Sequence, residues 1–169
     1  MLIAVDPGKS GGVSAFSQKS SITYCYNMPE TEGDIIDLFK CLTKELTHEA
    51  EPITLYMEKL SGFAGGPGNP GSTMFTMAKY YYSWLFLAMY AGIKVELITP
   101  QKWQKELGLG TKGTIRGISK HQAYLLKRDW KNKLKERAQQ LFPGIKVTLK
   151  NADSLLILEY AKKQNIFPF

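Results

Sequence analysis

The chain opens with three short β-rich runs, residues 2–5, 13–16 and 22–26, parted by glycines or by Ser and Lys turn residues. Runs so short and so closely spaced pair as an antiparallel meander. The pattern then changes. Ile35, Leu38, Phe39, Leu42 and Leu46 recur at three- and four-residue steps, the period of a helix that Thr31 would cap. A strand is expected over 53–57, then a loop through 61–71, where glycines and prolines bar helix and strand interiors alike. A long apolar helix over 72–91 ends at Gly92, and residues 93–98 return as a strand. Thr99-Pro100 offers a capping hydroxyl followed by proline at the first helical position. Residues 108–117 read as a flexible stretch, 120–141 as a helix stopped by Pro143-Gly144, and 151–163 as the final helix. A meander followed by alternating helix and strand is the order of a mixed-sheet α/β domain. No glycine-rich phosphate loop joins the first strand to a helix, which excludes a doubly wound nucleotide-binding fold.

At 169 residues the chain fits one domain, residues 1–169, with room for a real core. Cys25 and Cys41 match neither a disulfide scaffold nor a zinc site. With no signal peptide, they read as reduced thiols in a cytoplasmic protein. The apolar stretch 74–91 is interrupted by Lys79 and several tyrosines, and it barely reaches the roughly 20 residues a bilayer span needs. It reads as a buried helix covered in part by a partner subunit, with no membrane contact.

The net charge of +7 is distributed unevenly. Residues 102–137 hold eleven Lys or Arg against three acids (Glu106, Asp129 and Glu136), which leaves the rest of the chain close to neutral. A solvated helix face could carry such a run. Coupled to a carboxylate cluster elsewhere, it becomes the electrostatic footprint of a nucleic-acid binder.

That cluster is suggested by three acids far apart in the chain. Asp6 ends the run Leu2-Ile3-Ala4-Val5 and precedes Pro7-Gly8-Lys9-Ser10-Gly11-Gly12; Glu58 ends a second apolar run; Asp153 opens the last helical pattern. Each has an ordinary explanation: a turn for Asp6-Pro7-Gly8, a helix-dipole charge for Asp153. Glu58 is harder to dismiss, because a carboxylate on a strictly apolar strand is costly unless a cation or donor meets it. Two acids at neighbouring strand ends and one at a helix start can converge on a divalent cation, which favours hard oxygen ligands.

Taken together, Ile3-Ala4-Val5-Asp6-Pro7-Gly8 with Gly12, Glu58 before its loop, and Ala152-Asp153-Ser154-Leu155 resemble the RuvC-type Holliday-junction resolvases. Gln101-Lys102-Trp103-Gln104-Lys105 and Gln139-Gln140-Leu141-Phe142-Pro143 look like the phage or prophage branch of that family. The resemblance implies an RNase H-like fold: a mixed five-stranded sheet, antiparallel meander then parallel strands, flanked by helices. It also implies a homodimer in the cytoplasm of a bacterial or phage-infected cell, nicking four-way DNA junctions with Mg²⁺ or Mn²⁺. Asp6, Glu58 and Asp153 match the family's acidic positions, as metal ligands and catalytic groups. The family commonly has a further Asp where this chain has Lys150; Asn151 offers a neutral oxygen nearby, and Glu159 falls on the wrong side of the helix. The expectation is one metal site, with a second needing water, DNA phosphate or Asn151. Lys150 would either neutralise charge on the phosphate or be a surface lysine.

DNA contact is assigned to Lys9, Lys102, Lys105, Lys112, Arg116, Lys120 and Lys150. Phe63 resembles the family's aromatic near the junction centre, where stacking stabilises unpaired bases; it could equally anchor its loop. His48 and His121 pair with nothing obvious. The competing function is an RNase H-like module that grips branched DNA without cutting, which Lys150 favours. An actin-like phosphotransferase, whose first strand also carries Asp-x-Gly, needs two lobes and a longer chain.

Overall fold

The computed structural model describes residues 1–47, 52–60, 71–110 and 117–165. Its five strands are β1 (Leu2–Asp6), β2 (Gly12–Phe16), β3 (Thr23–Asn27), β4 (Thr54–Glu58) and β5 (Lys94–Ile98). The helices are α1 (Glu32–Thr47), α2 (Gly71–Tyr90), α3 (Pro100–Glu106), α4 (Lys120–Leu141) and α5 (Ala152–Gln164). The strands form one sheet in the order β3-β2-β1-β4-β5. The first three make the expected antiparallel meander; β4 and β5 add in parallel beside β1. Every expected element is present, with ends shifted by a residue or two. The loop through 61–70 and the stretch 111–116 lie outside the described residues.

Both faces of the sheet are covered, which explains why β1 is a continuous apolar run rather than an alternating one. Odd and even positions serve two separate cores. Ile3, Val5, Val13, Ala15, Leu55 and Met57 pack with Ile35, Phe39 and Trp84 of α1 and α2. Leu2, Ala4 and Tyr56 pack on the other face with Trp103, Leu134 and Leu155 of α3, α4 and α5. α5 is buried nearly all round, from Ala152 through Leu158 and again at Tyr160 and Ala161, as a helix must be when apolar on every side.

Thr31 caps α1 as expected: its Oγ1 accepts from Asp34 N, and Asp34 Oδ2 accepts from Thr31 N in return. Thr99 differs. Its backbone is extended ahead of Pro100, but its side chain makes no capping bond, so proline rather than the hydroxyl sets the start of α3. Among the described residues no helix is long and apolar enough to cross a membrane.

Two glycines stand where no side chain fits, and the second lets the sheet meet α5. A side chain on Gly11 would collide with the carbonyl of Asp6, and a methyl on Gly12 would sit 2.9 Å from Asn151 Cα and 3.0 Å from Ser154 Oγ. Beside that contact the Ser14 and Ser154 hydroxyls lie 2.8 Å apart in a buried hydrogen bond. The start of α5 is thus pressed onto β2 at a point where only glycine fits. Gly12→Ala should push α5 outward and cost about 1–3 kcal/mol of stability, as overpacking does. Urea unfolding would measure it, and an unchanged midpoint would show that this contact yields freely.

Candidate active site

The two-residue period of the strands decides where the acids point. Asp6 shares the face of Leu2 and Ala4, and Glu58 that of Tyr56, so both carboxylates emerge on the side covered by α5. The parallel register that pairs Val5 with Met57 brings the two strand ends together. Asp153, in the first turn of α5, is only 7% exposed. All three acids act on one another. Burial, then Asp153 and Glu58, push the Asp6 carboxyl up to about 8, against a smaller opposing pull from Lys131. Burial and Asp153 push Glu58 up to about 7, with Trp103 and Lys131 opposing.

Two residues that sequence reasoning passed over complete the cluster. Lys131 on α4 donates from Nζ to Asp153 Oδ2 at 2.5 Å. Burial pulls its ammonium down, but Asp153, Asp6 and Glu58 outweigh that and leave it raised. Trp103 of α3, fully buried, donates from its indole Nε1 to Glu58 Oε2 at 3.2 Å. Lys131 was one of eleven basic residues in its segment. Its helical phase was the usable signal: it falls on the same face of α4 as buried Leu134 and Ala138.

One expectation needs correction. Asn151 does not offer a free oxygen: its Oδ1 accepts from Thr148 N at 2.7 Å and its Nδ2 donates to Lys146 O at 3.2 Å. It staples the turn leading into α5. Lys150 lies in that turn, ahead of the helix, is exposed, and gives its backbone N–H to Thr148 Oγ1. The cation that meets the acids is Lys131. Glu159 is ion-paired with Lys162 further along α5.

Lys9 stands exposed on the rim of a cleft of about 470 Å³, lined by Asp6, Gly8, Thr73, Thr76 and Lys131. Lys102 and Lys105 are exposed on α3, with the Lys102 ammonium 6.0 Å from the ring centre of Tyr160; Lys120 is exposed at the start of α4. His121 is exposed as well. Phe63, Lys112, Arg116 and His48 lie outside the described residues.

Among the described residues no three His, Cys, Asp or Glu side chains stand ready-made around an ion. The donor chemistry nevertheless suits a hard divalent cation. Every donor is a carboxylate oxygen, two carboxyls are held well above their ordinary range, and Asp153 Oδ1 is buried with no hydrogen-bond partner among the described residues. Such an orphaned acceptor costs about 1–3 kcal/mol, more when charged. A cation would satisfy it and relieve the repulsion.

Two solved structures share this arrangement of elements. RuvC of Thermus thermophilus in complex with a Holliday junction substrate superimposes with a TM-score of 0.51 at 14% sequence identity, over 97% of this chain and 96% of that one. RuvC of Thermus thermophilus in a second structure gives 0.50 at 14%, over 96% and 95%. The fold is that of RuvC. No protein-family model matches the sequence, and no curated protein does. The likeness therefore lies in the path of the chain.

The raised carboxyls have a consequence for stability. A group whose folded pKa exceeds its unfolded value binds protons more tightly when folded. Its stabilising effect is complete below the unfolded carboxyl range of about 4 and is lost as pH climbs through the folded value. Metal-free protein should lose stability as pH rises from about 4 through about 7 and about 8. Asp6→Asn should raise the urea midpoint at pH above 8 and change it little near pH 4. A lowered midpoint at high pH would identify Asp6 as a satisfied ion-pair partner instead.

Proposed function

We propose that the protein is a divalent-metal-dependent endonuclease that resolves four-way DNA junctions as a homodimer. The observation that carries this is the convergence of Asp6, Glu58 and Asp153 at the strand ends of a RuvC fold. One solved structure of that fold is a complex with a Holliday junction substrate, and the strongly basic segment 102–137 supplies matching charge for a polyanion.

Asp6 and Glu58 would hold the cation from rigid strand ends, and Asp153 would complete the ligand set with its unpartnered Oδ1. Bound there, Mg²⁺ or Mn²⁺ supplies Lewis-acid polarisation of the phosphodiester. Trp103 orients Glu58 by holding one of its oxygens. Lys131 keeps the acids neutralised before loading. Its side chain lines the cleft, so once released from Asp153 its ammonium can face a phosphate oxygen. Lys9 on the rim extends the same positive edge.

The homodimer reading rests on α2. Its buried side, Tyr80, Tyr81, Trp84 and Ala88, packs on the sheet. The opposite side exposes Phe75, Tyr82, Phe86, Met89 and Tyr90, the last 95% exposed. These recur at helical spacing, and the Tyr82 and Phe86 rings stack 5.4 Å apart. An apolar stripe that long marks an interaction surface. A second copy fits it best, since paired nicks in a near-symmetric junction need two sites related by a two-fold axis.

A junction-binding protein that does not cut is the second reading, favoured by the Lys131–Asp153 ion pair occupying one would-be ligand. Cleavage of a labelled four-way junction with and without Mg²⁺ or Mn²⁺ separates the two. Asp6→Asn, Glu58→Gln and Asp153→Asn should each lower the cutting rate by at least about 100-fold, the scale of losing a stabilising group in the transition state, while junction binding persists. Full activity in any one would remove that residue from the site. Phe86→Glu should convert a dimer to monomers in analytical ultracentrifugation; wild-type protein that sediments as a monomer with and without DNA would end the dimer reading.

A further inference from the structure

α4 is two helices in one. Its C-terminal half packs on α5 through Leu134 and Ala138, with Trp130 and Leu141 partly covered. From Lys120 to Lys133 no residue is buried. About ten residues, roughly 15 Å of helix, therefore project beyond the point where Lys131 meets the acids.

The projecting half is a secured helix. Ser119 and Gln122 form a reciprocal capping box, with Ser119 Oγ accepting from Gln122 N at 3.2 Å and Gln122 Oε1 accepting from Ser119 N at 3.0 Å. Without buried contacts, such caps are what hold a short helical segment.

Its phase is informative. At 3.6 residues per turn, Lys120, Tyr124, Lys127 and Lys131 fall within a sector of about 60°, along roughly 16 Å of the axis. This sector is continuous with Leu134 and Ala138. The face that buries aliphatic side chains at one end thus becomes Lys-Tyr-Lys at the other, and the change comes at the acid cluster. Tyr124 is 63% exposed, although it lies on the helix's inward side. Arg128 and Asp129 neutralise each other off this stripe, with both Arg128 Nε and Nη2 donating to Asp129 Oδ1. The stripe keeps Lys120 and Lys127 as its outward charges. Lys120 also stands in the first turn, which holds no acid; a cation there works against the helix dipole, and a bound polyanion would offset that cost.

We propose that the projecting half of α4 guides the DNA strand into the acid cluster. Lys127 and Lys120 contact its backbone phosphates, and Tyr124 between them stacks on an unpaired base at the branch point. The charge is complementary to a polyanion, and an aromatic set between lysines is the means by which proteins hold single-stranded nucleic acid. This inference rests on the junction-nuclease reading and names residues for it that lie outside the metal-holding set.

The test uses the full chain, a fluorescein-labelled synthetic four-way junction and a linear duplex of the same sequence, with metal withheld so that the DNA stays whole. Lys120→Ala with Lys127→Ala should make the slope of log affinity against log salt shallower by about 1.8, at 0.9 per phosphate. Tyr124→Ala should weaken junction binding about 5- to 150-fold, the range of one lost base stack, with a smaller effect on the duplex. Tyr124→Phe should restore it. Tyr124→Leu, apolar but without a ring face, should behave like Tyr124→Ala. Circular dichroism melts check that each variant is folded, as expected for alanine in an exposed helix. Wild-type affinity and salt slope in Tyr124→Ala, Tyr124→Leu and the double lysine variant, while wild-type protein binds the junction, would overturn the guide and leave the nuclease reading standing. A wild-type protein that binds no junction would overturn both.

Discussion

Three carboxylates are held within one another's fields by elements that cannot move independently. Asp6 and Glu58 end adjacent parallel strands at the centre of the sheet, and Asp153 begins a helix buried nearly all round. Each alone would relax toward water; together they are locked, and repulsion with burial raises two of them far above the carboxylate range. The fold stores this strain through packing: two cores fix the strands, Gly12 lets α5 press against the sheet, and Trp103 fixes one oxygen of Glu58. The ammonium of Lys131 offsets the cluster. Such strain, maintained by well-packed surroundings, is where a protein keeps its capacity for chemistry.

Much of this was legible in the sequence. Strand runs, helix periods and punctuation mark the ten elements of the described residues in order, because local signals and tertiary packing agree along the chain. The three acids were readable because each ended or began a strongly patterned apolar segment. What stayed hidden depended on phase between distant elements. Lys131 and Trp103 meet the acids only through the packing of α4 and α3 against α5. Asn151 looked like a spare oxygen donor because nothing local reveals that Thr148 N–H and Lys146 C=O occupy its side chain. Lys150 precedes the first residue of α5, Ala152, and belongs to the turn, a boundary that no capping signal marks in the sequence.

The two sides of the sheet serve different ends. Helices α3, α4 and α5 frame the acids and carry half of the chain's basic residues, while α2 carries the exposed aromatic stripe. The basic surface and the exposed aromatic surface thus occupy different helices, and they come nearest at the first turns of α2, where Thr73 and Thr76 line the cleft beside Asp6. Neither has to compromise its composition for the other.

The two-core sheet also imposes a parity rule on how the chain can change. Along β1 and β4, odd and even residues feed different cores, and the acid takes its side from the same count. Inserting one residue within β1 would exchange the tenants of both cores at once and turn Asp6 to the wrong face. Two residues would restore the alternation at the expense of register. Length variation in descendants of this sequence should therefore collect in the turns and loops between elements, and the strands bearing the acids should vary in side-chain size but hold their length.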